Sequence, residues 1–350
     1  MRGRYATLVA GRTATHYRMA DTLVLVAPGL LALPSHDVAA MRSLSTLAQY
    51  AGAPERGAHG IAAALLASLG ADTRTPPAPL AMLGAGGDPR DDYVLRADPV
   101  QLLADRDRIV LVQTIDDLSA DDANRLVRML DRHFDPDGLR FEAVRPNAWF
   151  ARRAQAANVV TTPPDAARGR KLRESMPGGP DGDTWKRWQN EIEMMLHDHP
   201  INVAREARGA LAISGIWFSG GGRISDVAPL PPLVVAAAPT RLGDLARGIA
   251  ASAGTTSASN DDFEQLMARE SGANRDVSRL AVLADARDLD ARWLAPALER
   301  LAAQRLAALH LVADGNGTTA TWTARAPRFW RRWVARASRR AFAIPAPSDE

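Results

Sequence analysis

The stretch WKRWQNEIEMMLHDHPINVAREARGALAISGIWFSGGGR, Trp185 to Arg223, decides how this chain is read. Trp185, Trp188, Ile192, Met195, Leu196 and His199 recur at helical spacing, with Lys186, Arg187, Glu191, Glu193 and Asp198 mostly opposite them. That pattern predicts an amphipathic helix running up to the break at Pro200. Ile213 to Phe218 is a short apolar run and predicts a buried strand. Gly220, Gly221 and Gly222 end it, freeing the backbone for positive φ or for close approach to another group.

Outward from this centre, the pattern falls into three parts. Before it, a strand at Leu23 to Ala27 and helices around Val38 to Tyr50 and Ile61 to Leu69 predict a parallel sheet covered by helices. The Pro- and Gly-rich Thr73 to Asp92 marks a boundary. From Tyr93 to Phe150 the pattern is locally paired. Strands are predicted at Tyr93 to Ala97, Ile109 to Thr114 and Leu139 to Val144, with another starting at Trp149, and Ser119 should cap a helix carrying Ala123, Leu126, Val127 and Leu130 on one face. Thr161 to Asp183, rich in Pro, Gly and charge, reads as a flexible loop. Strands then return at Ile213 to Phe218, Leu233 to Ala238, Leu280 to Ala284 and Ala308 to Ala313, alternating with helices at 242–253, 262–271 and 289–304. The expected architecture is α/β. Residues 1–91 and 210–350 form a discontinuous core whose mainly parallel sheet holds all these returning strands, and 92–209 form an inserted α+β domain with its loop at 161–183.

The order NEI…LH-x-HP-x-N-x-AREARG…IW-x-x-GGG, Asn190 to Gly222, resembles the bacterial RpfE-type regulatory proteins, a family described as phosphoglycerate-mutase-like. YVLRADPVQLLADRDRIVL (Tyr93 to Leu111) and DDLSADDANRLVRMLDRHFDPDGLRFEAVRPNAWF (Asp116 to Phe150) resemble the inserted region of archaeal-type, cofactor-independent phosphoglycerate mutases. VVAAAPTRLGDLARGIAASAGT (Val234 to Thr255) resembles the second half of those enzymes. They belong to the alkaline-phosphatase superfamily, so the resemblance implies an alkaline-phosphatase-like core.

It also implies a chemistry that can be looked for. Phosphomutases of that superfamily use two metal ions, held by aspartates and histidines at strand ends, to activate a serine or threonine. Where the first strand should end in a metal-binding aspartate, this chain has Ala27-Pro28-Gly29-Leu30. Where the nucleophile should open a helix, it has Gly57-Ala58-His59-Gly60-Ile61, without a hydroxyl. Asp285, Asp288 and Asp290 have no histidine nearby, and Asp314 is followed by Gly315. The expectation is a non-catalytic relative with no catalytic residue, metal or cofactor. The rival is an active mutase or phosphohydrolase with an atypical site, for which convergence of Asp37, Asp285, Asp288 and Asp314 on a histidine would speak.

Composition agrees with a folded protein able to build a core. The chain has 350 residues, is 46% hydrophobic, and carries 43 basic against 40 acidic residues. With no cysteine, disulfides, thiolate metal sites and a cysteine nucleophile are excluded. Lys171 and Lys186 are the only lysines, so nearly every basic residue is an arginine; the codon preference of a GC-rich genome accounts for that first, and the arginine fork also suits phosphate and carboxylate partners. Candidate ligand contacts are Arg96, Asp98, Arg205 and Arg208, which could equally form a structural ion-pair network. Gly220, Gly221, Gly222 and Arg223 could cradle an anion or simply make a tight turn. His197 and His199 are two apart, which on one helix sets them on different faces and argues against a metal pair; His199 should pack beside Trp188 and Met195. The C-terminal RFWRRWVARASRR, Arg328 to Arg340, suits a helix docked on the core or an anionic surface such as nucleic acid. The expected partner is a small anionic ligand or a protein, nucleic acid being the alternative. No run is long enough to span a bilayer, and the expected location is cytoplasmic.

Overall fold

Thr22–Ala27 form β1, a strand buried along its whole length. A strand can be apolar on both faces only when helices cover both, and this one has parallel neighbours on each side. The computed structural model describes residues 22–325 except 73, 106–107, 169, 256, 259–261 and 270–277. In it β1 lies between Ser278–Val282 (β10) and Ala308–Gly315 (β11), in register Val24 with Leu280 and Val24 with His310. Leu233–Ala237 (β8) and the short Ser257–Ala258 (β9) extend the sheet in parallel beyond β10. Thr318–Arg325 (β12) and Glu55–Gly57 (β2) close the other edge in antiparallel pairing. The order is β2-β12-β11-β1-β10-β8-β9.

Alternate side chains of β1 supply two cores, as the two-residue period requires. Leu23 and Leu25 pack with Leu44, Leu47, Trp293 and Leu301, whereas Val24 and Val26 pack with Leu65, Leu80, Leu245 and Ile249. The helices Pro77–Ala85 and Arg241–Ser252 cross backbone to backbone. A Cβ on Gly84 would meet the Asp244 carbonyl, and one on Gly248 the Leu80 carbonyl, so only glycine permits this crossing.

A second sheet is antiparallel throughout. Tyr93–Asp105 (β3) pairs with Arg108–Thr114 (β4), with Ala148–Arg153 (β6) and with Gly215–Gly222 (β7), and Arg140–Arg145 (β5) pairs with β6. One expectation fails here. Ile213 to Phe218 does not join the parallel sheet; its strand β7 sits against β3, with Phe218 opposite Ala97 and Trp217 opposite Asp98. The physical reason is that an all-apolar strand fits any site covered on both faces. β7 finds one between Phe141 and Trp185 on one side and Val100 and Leu111 on the other. The molecule is therefore α/β, with a parallel-rich sheet flanked by helices and a separate antiparallel sheet.

Beneath the antiparallel sheet lie Ala120–Phe134 and Gly182–His197. Ser119 caps the first as expected, its hydroxyl accepting from Asp122 N at 3.0 Å. The second ends at His197, and a new helix, Pro200–Ala207, begins at once. His199 does not pack as a core ring; its Nδ1 accepts from Ile201 N at 3.2 Å, capping that new helix. Residues 161–183 contain the short helices Pro164–Ala167 and Leu172–Ser175, and bridges pair Val110 with Lys171 and Val160 with Gly178.

Candidate functional site

In an open α/β sheet, ligands bind outside the carboxyl ends of the strands, where helix N-termini gather. Here that edge is built from the ends of β1, β8, β10 and β11. Two groups of polar side chains occupy it.

The first is a set of arginines around two buried carboxylates. Asp98 comes from β3 and Asp244 from the first turn of the helix Arg241–Ser252, which Thr240 caps; each carboxylate is 1% exposed. Arg96 Nε and Nη2 each donate to Asp98 Oδ1 at 3.1 Å, and Arg241 Nε lies 3.2 Å from the same oxygen. Asp244 Oδ1 accepts from Arg145 Nη2 and, at 2.6 Å, from Arg247 Nη2, while Arg96 Nη1 stands 3.9 Å from its Oδ2. Four guanidiniums thus face two buried carboxylates; the exposed Asp116 lies 2.6 Å from Arg241 Nη2, and Asp165 is near enough to Arg241 for their charges to attract. Arg145 Nε and, on the acceptor side, Asp244 Oδ2 are buried without a hydrogen-bond partner, while Arg96 Nη1 and Arg241 Nε face carboxylate oxygens only as ion pairs. Guanidinium N–H groups not taken up by hydrogen bonds can receive an anion.

The second group is acidic. At the end of β11, Asp314 Oδ1 accepts from Gly29 N at 2.7 Å. At the head of the helix Ile61–Ser68, Asp165 Oδ2 accepts from Ile61 N at 2.6 Å. Burial pushes the Asp314 carboxyl up to about 6; the Gly29 N–H opposes this and the neighbouring Asp165 adds to it. Burial raises Asp165 too, against the Ile61 N–H and the nearby Arg168 and Arg241. The sign follows. Above pH 6 Asp314 is charged in both native and unfolded chains and the native state bears the burial penalty. Between about 6 and the ordinary 3.8 the native state takes the proton first, so this group's contribution to stability rises as pH falls through that window. Asp314→Asn keeps the acceptor for Gly29 and removes the charge. It should stabilise the protein at pH 7 by about 1–2 kcal/mol and match the parent near pH 4. Urea denaturation at the two pH values checks this, and an equal effect at both would contradict it.

Of the residues singled out in the sequence, Arg96 and Asp98 are brought together in the first group. Arg205 is wholly buried, donating to Leu211 O at 2.7 Å and to Asp117 Oδ1 at 2.6 Å. It also lines a cleft of about 600 Å³ with Gln113, Thr114, Asp116, Asp117 and Arg168. Arg208 is exposed at the end of the helix Pro200–Ala207. Gly220, Gly221 and Gly222 give room to Pro77, Tyr93 and Pro76 respectively, and Gly220 holds φ +70°. Arg223 ties down the carbonyls of Asp91 and Ala154. Arg328 to Arg340 lie outside the described residues. Sequence reasoning missed Arg145, Asp165, Arg241, Asp244 and Arg247. Asp244 reads locally as an ordinary acid in a first helical turn, and of its arginine partners only Arg247 is close to it in sequence.

The metal pair that the resemblance implies does not fit the donors present. Asp37 and Asp285 both approach Arg287, Asp288 pairs with Arg292, and Asp290 accepts from Ser43 N. Asp314 and Asp165 each spend an oxygen on a backbone N–H. Among the described residues, no group of three or more His, Asp or Glu gathers as a cation would need.

Comparison with known proteins adds a lineage. The 2,3-bisphosphoglycerate-independent phosphoglycerate mutase of Methanosarcina barkeri is 28% identical over 118 residues, 33% of this chain and 30% of that protein. That of Methanosarcina mazei is 27% identical over 110 residues, 30% of this chain and 27% of its own. Over that segment the chain is a distant homologue of these mutases. It matches less than a third of either relative's length. No protein-family model matches the sequence. Among solved structures, a cofactor-independent phosphoglycerate mutase from Thermoplasma acidophilum aligns with TM-score 0.40 at 16% identity, covering 89% of this chain and 91% of that one. The PH0037 protein of Pyrococcus horikoshii gives 0.47 at 13%, covering 87% of each. Among the described residues, no helix is long and apolar enough to cross a membrane.

Proposed function

We propose that this distant mutase homologue is a cytoplasmic regulatory protein of the RpfE type, one that binds a small anionic ligand beside Arg96 and Arg241 without metal-dependent phosphotransfer. The observation carrying this reading is the state of the helix head at Gly60-Ile61. No hydroxyl stands there to receive a phosphoryl group, and the backbone N–H that would meet a phosphate is taken by Asp165. The guanidinium N–H groups around Asp98 and Asp244 that make no hydrogen bond support the binding half, because such donors recognise carboxylate and phosphate oxygens.

The test pairs an activity assay with calorimetry, using 3-phosphoglycerate as the probe. Given Mn²⁺, Mg²⁺ or Zn²⁺, the purified protein should show no mutase turnover. It should bind the probe saturably, and Arg241→Ala should weaken that binding about tenfold or more, the share of one charged hydrogen bond. Metal-dependent turnover that disappears on Asp314→Ala would overturn the reading in favour of an active mutase. Probe binding indifferent to Arg241→Ala would remove the arginine cluster as its site.

A further inference from the structure

Arg205, a candidate contact in the sequence, has no part in the anion site around Asp98 and Asp244. It is wholly buried, yet it lines the cleft of about 600 Å³ beside Arg168, Asp116 and Asp117. That volume lies within the roughly 300–1,000 Å³ of small-molecule sites. The guanidinium is held on two sides, Nε donating to the Leu211 carbonyl at 2.7 Å and Nη2 to Asp117 Oδ1 at 2.6 Å. Its Nη1 is buried and has no hydrogen-bond partner among the described residues. A buried charged N–H without an acceptor is costly, so this atom favours an incoming oxygen, and the cleft is the side from which one can come.

The charges around the cleft select the kind of molecule. Four ionisable side chains line it and divide evenly, Arg168 and Arg205 against Asp116 and Asp117. Both carboxylates are more than half exposed, and each meets an arginine through Oδ1, Asp116 at Arg241 and Asp117 at Arg205. A carboxylate has lone pairs for further donors, so both can still accept. A phosphate would face two carboxylates as well as two guanidiniums and gain little. A molecule carrying one charge of each sign finds a partner for both. The uncharged lining is mixed, with Ile115 and Leu211 apolar and Gln113 and Thr114 polar, and none of these described residues offers a ring on which a nucleobase would stack.

We propose that this cleft binds a free α-amino acid, with Arg168 and Arg205 Nη1 taking its carboxylate and Asp116 and Asp117 its ammonium group. The site stands whether or not an anion binds beside Arg96 and Arg241, since neither Arg168 nor Arg205 belongs to that cluster.

The test screens the standard amino acids against the full-length protein by thermal shift and takes the one with the largest shift into calorimetry. It should bind saturably, with a dissociation constant of about 1 mM or tighter. Its N-acetyl derivative, which lacks the ammonium group, and the corresponding amine, which lacks the carboxylate, should each bind about tenfold more weakly or worse, the loss of one charged contact. Arg168→Gln and Asp117→Asn should weaken binding by a similar factor. Arg168 is exposed, and Asp117→Asn keeps an oxygen for Arg205, so both variants should fold. If Asp117→Asn does not, Arg168→Gln and the two ligand derivatives decide. Failure of every amino acid to bind overturns the proposal. So does an amino acid whose N-acetyl derivative or amine binds equally well, or one whose binding ignores Arg168→Gln.

Discussion

Asp244→Ala should lower the free energy of unfolding by about 3–5 kcal/mol, the cost of removing one partner from a buried ion cluster. The carboxylate is 1% exposed and receives Arg145 and Arg247 on one oxygen, with Arg96 facing the other. Its loss leaves three guanidiniums without their shared counter-charge, Arg96 keeping Asp98 and the Asn147 carbonyl. The effect reaches beyond the helix that carries Asp244. Arg96 belongs to β3 and Arg145 to β5, so this one carboxylate joins the antiparallel sheet to the end of β8. Urea denaturation measures the loss. Removing Arg145 as well should recover part of it, since the double variant strands one guanidinium fewer; the cycle isolates the coupling. A single-variant loss below about 1 kcal/mol would show that the arginines reach solvent and the cluster is not closed.

Trp185→Ala should cost a similar amount, about 3–5 kcal/mol, by the ordinary price of deleting a buried aromatic side chain. Its indole is fully buried and stands edge-on to Trp188 at 4.9 Å and to Phe218 at 5.0 Å. Phe134 and Phe141 extend the same aromatic cluster. Trp185 is thus the point where the helix Gly182–His197 is fastened to β7. Because its Nε1 has no hydrogen-bond partner, the loss is one of packing alone. Replacement by Phe, which keeps ring contacts, should retain roughly half of the stability that Ala forfeits. Equal losses from Ala and Phe would mean that the indole's full width, not its burial, fastens the helix.

The two variants also separate what local sequence says from what it cannot say. Trp185 was legible: it lies on the apolar face of a helix whose spacing shows in Trp185, Trp188, Ile192 and Leu196, and helical periodicity is a property of neighbours in the chain. The same holds for the Ser119 cap, for the alternating strand and helix of the core, and for the missing hydroxyl at Gly57 to Ile61. Asp244 was not legible, because its meaning depends on Arg96 and Arg145, which are 148 and 99 residues away in the sequence. Asp165 was hidden in the same way, inside a stretch whose Pro, Gly and charge say only that regular structure is interrupted.

By itself, then, the sequence determined most of the core strands and helices and the change from a parallel to a locally paired pattern, but not the helices Pro77–Ala85 and Pro200–Ala207 or the edge strands β2 and β12. What it determined follows from residue type and short-range period. Only the tertiary structure decided that β7 belongs to the antiparallel sheet, that Asp98 and Asp244 gather four arginines, and that Asp165 caps the helix head. Each of these is a pairing between distant segments. An apolar strand is satisfied by any covered site and a charge by any opposite charge, so the partner is chosen by the packing of the whole molecule and not by the residues beside it.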